Sequence, residues 1–238
     1  MVPSNELSRK VILVTGPAGN LGSAVVKRFQ NESVSLILLD RHPDRINERY
    51  PDLDASNDHL LLPNVDLTEP AIVGAAVNSG LENFGHIDCL VHTTGGFQMG
   101  EKVHQITQEK LDQMMDINVK TLLNITRFVL PAMIEQENGM IITIGARPSL
   151  EGKKEMGAYS AAKAAVLRLT ESIAAEGKST GLSARCIIPG TIDTSENRAV
   201  MPNADTSKWI KPETIADVIY KTCFDTDISE HDIIINLY

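Results

Sequence analysis

Tyr159 and Lys163 stand four residues apart in "YSAAK", a spacing that sets a phenol and an ammonium on one face of a helix. Such a pair can move protons. A phenol ordinarily titrates near pH ~10, and a neighbouring ammonium stabilises the phenolate, which is expected to bring that value down. The same pair also occurs on plain solvated helix faces. What positions it has to decide between the two.

The chain around it alternates short apolar runs with longer helical patterns. Lys10–Val14, Val34–Leu39, Leu60–Val65, Ile87–His92, Gly139–Ile144, Ser183–Ile188 and Asp232–Leu237 read as strands, with helical recurrence over Ser23–Gln30 and Gln108–Ile134. Strand–helix alternation with nearly continuous apolar strands implies an α/β fold, a doubly wound parallel sheet covered by helices on both faces. No repeat or linker divides residues 1–238, so one domain is expected. Arg41–Asp58 reads as a loop with a short helix. Thr191–Lys211, polar and placed straight after Pro189-Gly190, reads as a substrate-binding loop. Tyr159 and Lys163 follow the fifth strand, at the edge where such sheets bind ligands.

The first strand runs into "TGPAGNLG", with Gly16, Gly19 and Gly22 three apart before a helix. Glycines there allow a tight turn and let helix N-terminal amides face a pyrophosphate. The second strand ends at Asp40, 18 residues beyond Gly22, where a carboxylate accepts hydrogen bonds from a ribose and repels a 2′-phosphate. Arg41 follows and can stack on adenine or pair with that phosphate. The expected cofactor is NAD(H) in preference to NADP(H).

Composition narrows the classes. The 238 residues are 42% hydrophobic and 22% charged, ordinary for a globular protein. A net charge of −9 disfavours nucleic acid and anionic membranes as partners. No apolar run has the length of a spanning helix, and the first residues lack a signal-peptide core, so a cytoplasmic protein is expected. Cys89, Cys186 and Cys223 form no disulfide framework or catalytic motif, and Cys89 and Cys186 read as buried hydrophobes. No histidine spacing resembles a metal site, so no metal is expected.

With these residues in view, the chain resembles the short-chain dehydrogenase/reductase family over nearly its whole length. The glycine turn, "NVDLT" (64–68), "FGHIDCLVHTTGG" (84–96), "INVKT" (117–121), "YSAAK" and "IIPGTIDT" (187–194) stand in family order. The resemblance implies a Rossmann-type fold with a seven-stranded sheet, and an NAD(P)(H)-dependent hydride transfer with Tyr159 as acid/base. It puts Asn118 in the proton relay beside Tyr159 and Lys163. Gly16, Gly19, Asn20, Leu21 and Gly22 would hold the pyrophosphate end. Asp66 and Leu67 would lie near adenine, Gly95 at the nucleotide, and Pro189, Gly190 and Thr191 beside the nicotinamide. It also implies a homotetramer or homodimer, which would employ the broad apolar face of Gln108–Ile134. Core packing accounts for that face equally well.

Three departures stand out. Asn20 occupies a position where the family commonly has glycine, His92-Thr93-Thr94-Gly95 replaces Asn-Asn-Ala-Gly, and Ala146 stands 13 positions before Tyr159, where a serine is usual. That serine steadies the developing oxyanion of a carbonyl substrate, and losing such a donor costs on the order of 10²-fold in rate. Three accounts compete: Thr143, Ser149 or Thr191 takes its place; the protein is a catalytically silent NAD(H)-binding sensor or scaffold; or the substrate does without the donor. "GGF", "GARPSLEGKKEMGAYSAAK" (145–163) and "DTSENRAVMPNADTSKW" (193–209) resemble quinonoid dihydropteridine reductases, which favours the third account. Arg147, after Ala146, can hold a polar or anionic substrate edge or simply be solvated. Phe97 and Met99 can wall a substrate pocket or pack under a loop.

Overall fold

The computed structural model describes residues 9–54, 56–224 and 233–238. Its strands are β1 (Lys10–Thr15), β2 (Val34–Leu39), β3 (His59–Leu62), β4 (Cys89–His92), β5 (Gly139–Ile144), β6 (Leu182–Pro189) and β7 (Ile234–Leu237). All pair in parallel in one seven-stranded sheet, ordered β3-β2-β1-β4-β5-β6-β7. Asp232, expected in the last strand, lies outside the described residues.

Alternate side chains of each strand point to opposite faces, and both faces are covered. On one face Ile12, Val14, Leu36, Leu38 and Val91 pack with α1 (Asn20–Phe29) and with Ile215 and Ile219 of α9 (Pro212–Phe224). On the other, Val11, Leu13, Ile37, Leu39 and Leu90 meet α4 (Pro70–Phe84), α6 (Thr121–Glu135) and α7 (Gly157–Gly177) through Val77, Ile125 and Ile173. The chain leaves β1 toward β2 and β3, then returns to lay β4 on β1's other side. The ends of β1 and β4 therefore form the crevice in which doubly wound sheets bind ligands.

Differences from the sequence reading have local causes. β3 stops at Leu62, three residues short of the expected Val65, because Pro63 follows and Asn64 takes a left-handed backbone at φ 61°. Arg41–Asp58 holds two short helices, α2 (Pro43–Arg49) and α3 (Pro51–Asp54), rather than one. The expected single helix over Gln108–Ile134 is broken into α5 (Gln108–Met115), a π-helical turn (Asp116–Lys120) and α6. Asn118 sits in that turn, an insertion that often marks functional sites. Thr191–Lys211 is irregular apart from α8 (Ser195–Val200) and a 3₁₀ turn.

Candidate active site

The glycine turn joins β1 to α1 and leaves the helix start open. Gly19 stands at its N-cap with no side chain to fill it, and the first turn carries no acidic residue. The leading amide N–H groups stay available to an anion. A Cβ on Gly22 would lie 2.1 Å from the Gly16 carbonyl oxygen, so this close approach of helix and turn requires glycine. A cavity of about 600 Å³ opens beside the turn, lined by Gly16, Gly19, Asp40, Asp66, Leu67 and Gly95 among others.

Asp40 is buried, and both its oxygens are held by backbone. Oδ2 accepts from the Ala18 amide at 3.1 Å and Oδ1 from the His42 amide at 2.9 Å. The carboxylate thus ties the glycine turn to the end of β2 as well as facing the cavity. Arg41 lines the same wall and is exposed, its Nε donating to His42 Nε2 at 3.0 Å. Arg45 lines it too, which the sequence reading missed; the signal was a cation four residues after Arg41, in the first turn of α2. Asp66 accepts from the Thr68 amide and hydroxyl at 2.8 and 2.7 Å, which hold its carboxyl below the usual range.

A second cavity of about 280 Å³ adjoins the first, the two sharing Thr93 and Gly95. Tyr159, Lys163, Phe97, Ala146, Arg147 and Thr191 line it, as do Leu21, Pro189 and Gly190. The Phe97 ring meets the Tyr159 ring edge-on, centroids 5.0 Å apart. Lys163 is buried and donates to the Ile144 carbonyl oxygen at 2.9 Å. Burial lowers its ammonium to about 8. Burial also raises the Tyr159 phenol above its ordinary value, the reverse of the lowering expected from Lys163 alone. Desolvation is the cause of that rise, and the phenol is a protonated acid at neutral pH.

Asn118 braces this junction. Its Nδ2 donates to the carbonyl oxygens of Met114 at 3.0 Å and Gly96 at 3.2 Å, and its Oδ1 accepts from the Gly96 amide at 3.2 Å. A Cβ on Gly95 would come 2.9 Å from that Oδ1 and 3.1 Å from Lys163 Nζ, so a larger residue there would push on both side chains. Beneath it His92 is buried between two hydroxyls, Thr15 Oγ1 at 3.0 Å from Nδ1 and Thr121 Oγ1 at 3.4 Å from Nε2. Burial, with the Lys163 charge adding to it, lowers the imidazole to about 3, so it is neutral.

Not every expected residue reaches a cavity. Asn20 and Gly22 stand outside both linings; Asn20 Nδ2 instead donates to Glu196 Oε2 on α8, joining the glycine turn to the 191–211 segment. Ser149 is buried outside the lining and donates to the Ala146 carbonyl oxygen. Thr143 is paired with Thr170 at 2.7 Å, leaving Thr191 as the one of the three proposed replacement hydroxyls that lines the cavity. Met99 lies outside that lining. Met156 and Met201 line it without having been foreseen, because only the fold brings those loops over the strand ends. Tyr238 was missed for the same reason; its ring lies 4.5 Å from the Arg147 guanidinium.

The short chain dehydrogenase family model matches residues 10–205. The chain belongs to the short-chain dehydrogenase family. It is 30% identical over 214 residues to an uncharacterized oxidoreductase of Staphylococcus haemolyticus (strain JCSC1435), covering 90% of each chain. The solved structure of ElxO with NADP bound aligns over 96% of this chain and 97% of its own, with TM-score 0.86 and 20% identity. That of NAD+-bound xylitol dehydrogenase aligns over 98% of both, with TM-score 0.86 and 22% identity. At those identities the structures speak for the fold, which is the Rossmann-like fold of the family's oxidoreductases.

Proposed function

We propose that the chain is an NAD(H)-preferring oxidoreductase acting on a small carbonyl or quinonoid substrate in the 280 Å³ cavity, with Tyr159 as acid/base. The observation that carries this is the junction of the two cavities at Gly95, beside Lys163, with Tyr159 on the smaller side. The residues suit the dinucleotide: the turn is held open by glycines at places a Cβ would fill. When bound, its nicotinamide supplies or takes the hydride.

The chain's own residues handle the proton. Tyr159, protonated at neutral pH, donates to the substrate atom that gains charge, and Lys163 stabilises the phenolate left behind. Ile144 holds the Lys163 ammonium in place. Asn118 keeps the Gly95–Gly96 backbone at the distance this arrangement needs. We read residues 1–238 as one catalytic domain, with 191–211 as its substrate-binding loop.

Preference for NAD(H) rests on Asp40, buried and fixed by two backbone amides, against Arg41, exposed and turned toward His42. The substrate's class rests on Ala146. Its methyl stands in the cavity wall, and Ser149 and Thr143 have other partners, which favours a conjugated acceptor whose ring spreads the charge. A dihydropteridine reductase-like reaction is one such case. Among the described residues the lining of that cavity includes the cations Arg147 and Lys163 and no carboxylate, which favours a neutral or anionic substrate. Leu123 and Ile134, exposed on α6, form the face assigned to a two-fold homo-oligomer.

A screen of NADH oxidation across ketones, quinones and quinonoid dihydropterins tests the reading, with Tyr159→Phe as control. Turnover on a conjugated acceptor that falls at least 100-fold in the variant is expected, in line with general acid catalysis. Tight NADH binding with no turnover, indifferent to Tyr159→Phe, would favour the silent sensor instead.

A further inference from the structure

Cys89 begins β4 and Cys223 lies in the last turn of α9, 134 positions apart in the chain. Their sulfur atoms are 2.8 Å apart, and both side chains are buried in the core between the sheet and the α1 and α9 helices. Neither lines the two cavities described above, so the chemistry proposed there makes no use of them. Cys186, the third free thiol, is packed elsewhere with Leu167 and Ile188. A disulfide holds its sulfurs at about 2.05 Å, so a bond between Cys89 and Cys223 needs less than an ångström of approach.

We propose that Cys89 and Cys223 are a redox-active dithiol, which a hydroperoxide oxidises to an intramolecular disulfide linking β4 to α9 and a thiol reductant reopens.

The chemistry balances in two steps. Cys223 is the less buried, 7% exposed against 1% for Cys89. Its sulfur attacks the peroxide, the O–O bond breaks, and the thiol proton leaves with the departing oxygen as water or an alcohol, leaving a sulfenic acid. The Cys89 sulfur then attacks the Cys223 sulfur, the S–O bond breaks, and the Cys89 proton leaves with the hydroxyl as water. The two thiols have lost two electrons and two protons, and the peroxide has taken them up.

The surroundings set the rate. Lys10 donates to the Cys223 carbonyl oxygen at 3.4 Å, which places its positive charge beside the pair. Burial raises the Cys89 thiol. Reaction thus needs the last turn of α9 to loosen, and the pair responds to sustained rather than brief oxidation. The consequence is mechanical. α9 follows the 191–211 segment directly and packs along α1, the helix that starts at the glycine turn. A covalent tie at its far end fixes the helix that supports both.

Purified protein is incubated with hydrogen peroxide, alkylated under denaturing conditions and mapped by mass spectrometry. The expected product is a single chain with Cys186 alkylated and the Cys89 and Cys223 peptides joined, two hydrogen atoms lighter than a reduced chain alkylated at Cys186 alone. Its melting temperature should rise by several degrees and return to the starting value on reduction. Cys186→Ala should preserve the crosslink and Cys223→Ala abolish it. Three alkylated thiols after prolonged exposure, disulfides joining only separate chains, or over-oxidised thiols without the Cys89–Cys223 peptide would overturn the proposal.

Discussion

Ser149 donates its hydroxyl to the carbonyl oxygen of Ala146 at 2.6 Å, three residues back along the chain. The bond closes the 3₁₀ turn Arg147–Ser149 and takes the hydroxyl away from the cavity that Ala146 lines. A relocated oxyanion donor at this position would have to break it. Ser149→Ala is therefore expected to change turnover less than about threefold, since only a local side-chain bond of ~1 kcal/mol is lost. Ala146→Ser should leave the rate on a conjugated substrate unchanged and raise weak activity on simple ketones. A fall of 100-fold or more for Ser149→Ala with NADH binding intact would show that the serine's role has moved there.

The cofactor preference turns on charge at the end of β2. Wild-type protein should bind NADH more tightly than NADPH, because the 2′-phosphate would meet the fixed carboxylate of Asp40. Asp40→Ala should narrow the gap by about 1–3 kcal/mol through loss of a charge-assisted hydrogen bond. Arg41→Ala should widen it. Fluorescence titration with both nucleotides measures all three; a wild-type preference for NADPH would mean that Arg41 and Arg45 outweigh the carboxylate.

Much of this arrangement was legible in the sequence because single residue types carried it. Apolar runs bounded by turn residues marked the strands, and β5 falls at Gly139–Ile144 as expected, since β-branched residues packed on both faces admit few other states. The glycine turn could be read from its spacing taken together with the strand before it, the helix after it and Asp40 at the end of the second strand. The π-helical turn at Asn118 could not, because an apolar pattern cannot register one extra residue in a helix covered on several sides. Neither could the Cys89–Cys223 contact or the stacking of Tyr238 on Arg147, which depend on how distant segments meet. The direction of the Tyr159 shift was misread for a related reason. Spacing gives the distance to Lys163 and says nothing of how deeply the phenol is buried.

His92 makes stability depend on acid. Its imidazole titrates at about 3 in the folded protein, against 6.5 ordinarily. The unfolded chain therefore binds a proton that the native state refuses as pH falls from about 6.5 toward 3. Stability from this group is complete above that window and is lost within it, by on the order of 4–5 kcal/mol at its acid end. His92→Asn, the residue usual in the family, should flatten the acid limb of stability relative to wild type. Urea unfolding at intervals between pH 7 and 4 checks it, and parallel curves for the two proteins would show that His92 is not the group responsible.

Arg147 should choose among substrates by charge. It lines the smaller cavity, whose lining among the described residues includes no carboxylate, the Glu151 carboxylate that feels its charge lying outside that lining, while the other cation, Lys163, is held by the Ile144 carbonyl. Its guanidinium already rests on the Tyr238 ring, which fixes the planar fork near the cavity mouth. A carboxylate on the substrate would gain a charge-assisted hydrogen bond worth about 1.5–3 kcal/mol, or roughly 10–100-fold in KM. Arg147→Leu should raise KM by that factor for an acceptor bearing a carboxylate and leave its uncharged ester nearly unaffected, with kcat little changed for either. Tyr238→Ala should reproduce the effect in weaker form, because the guanidinium stays but loses its support. Equal losses on acid and ester would mean that Arg147 holds the wall of the cavity in shape and does not read charge.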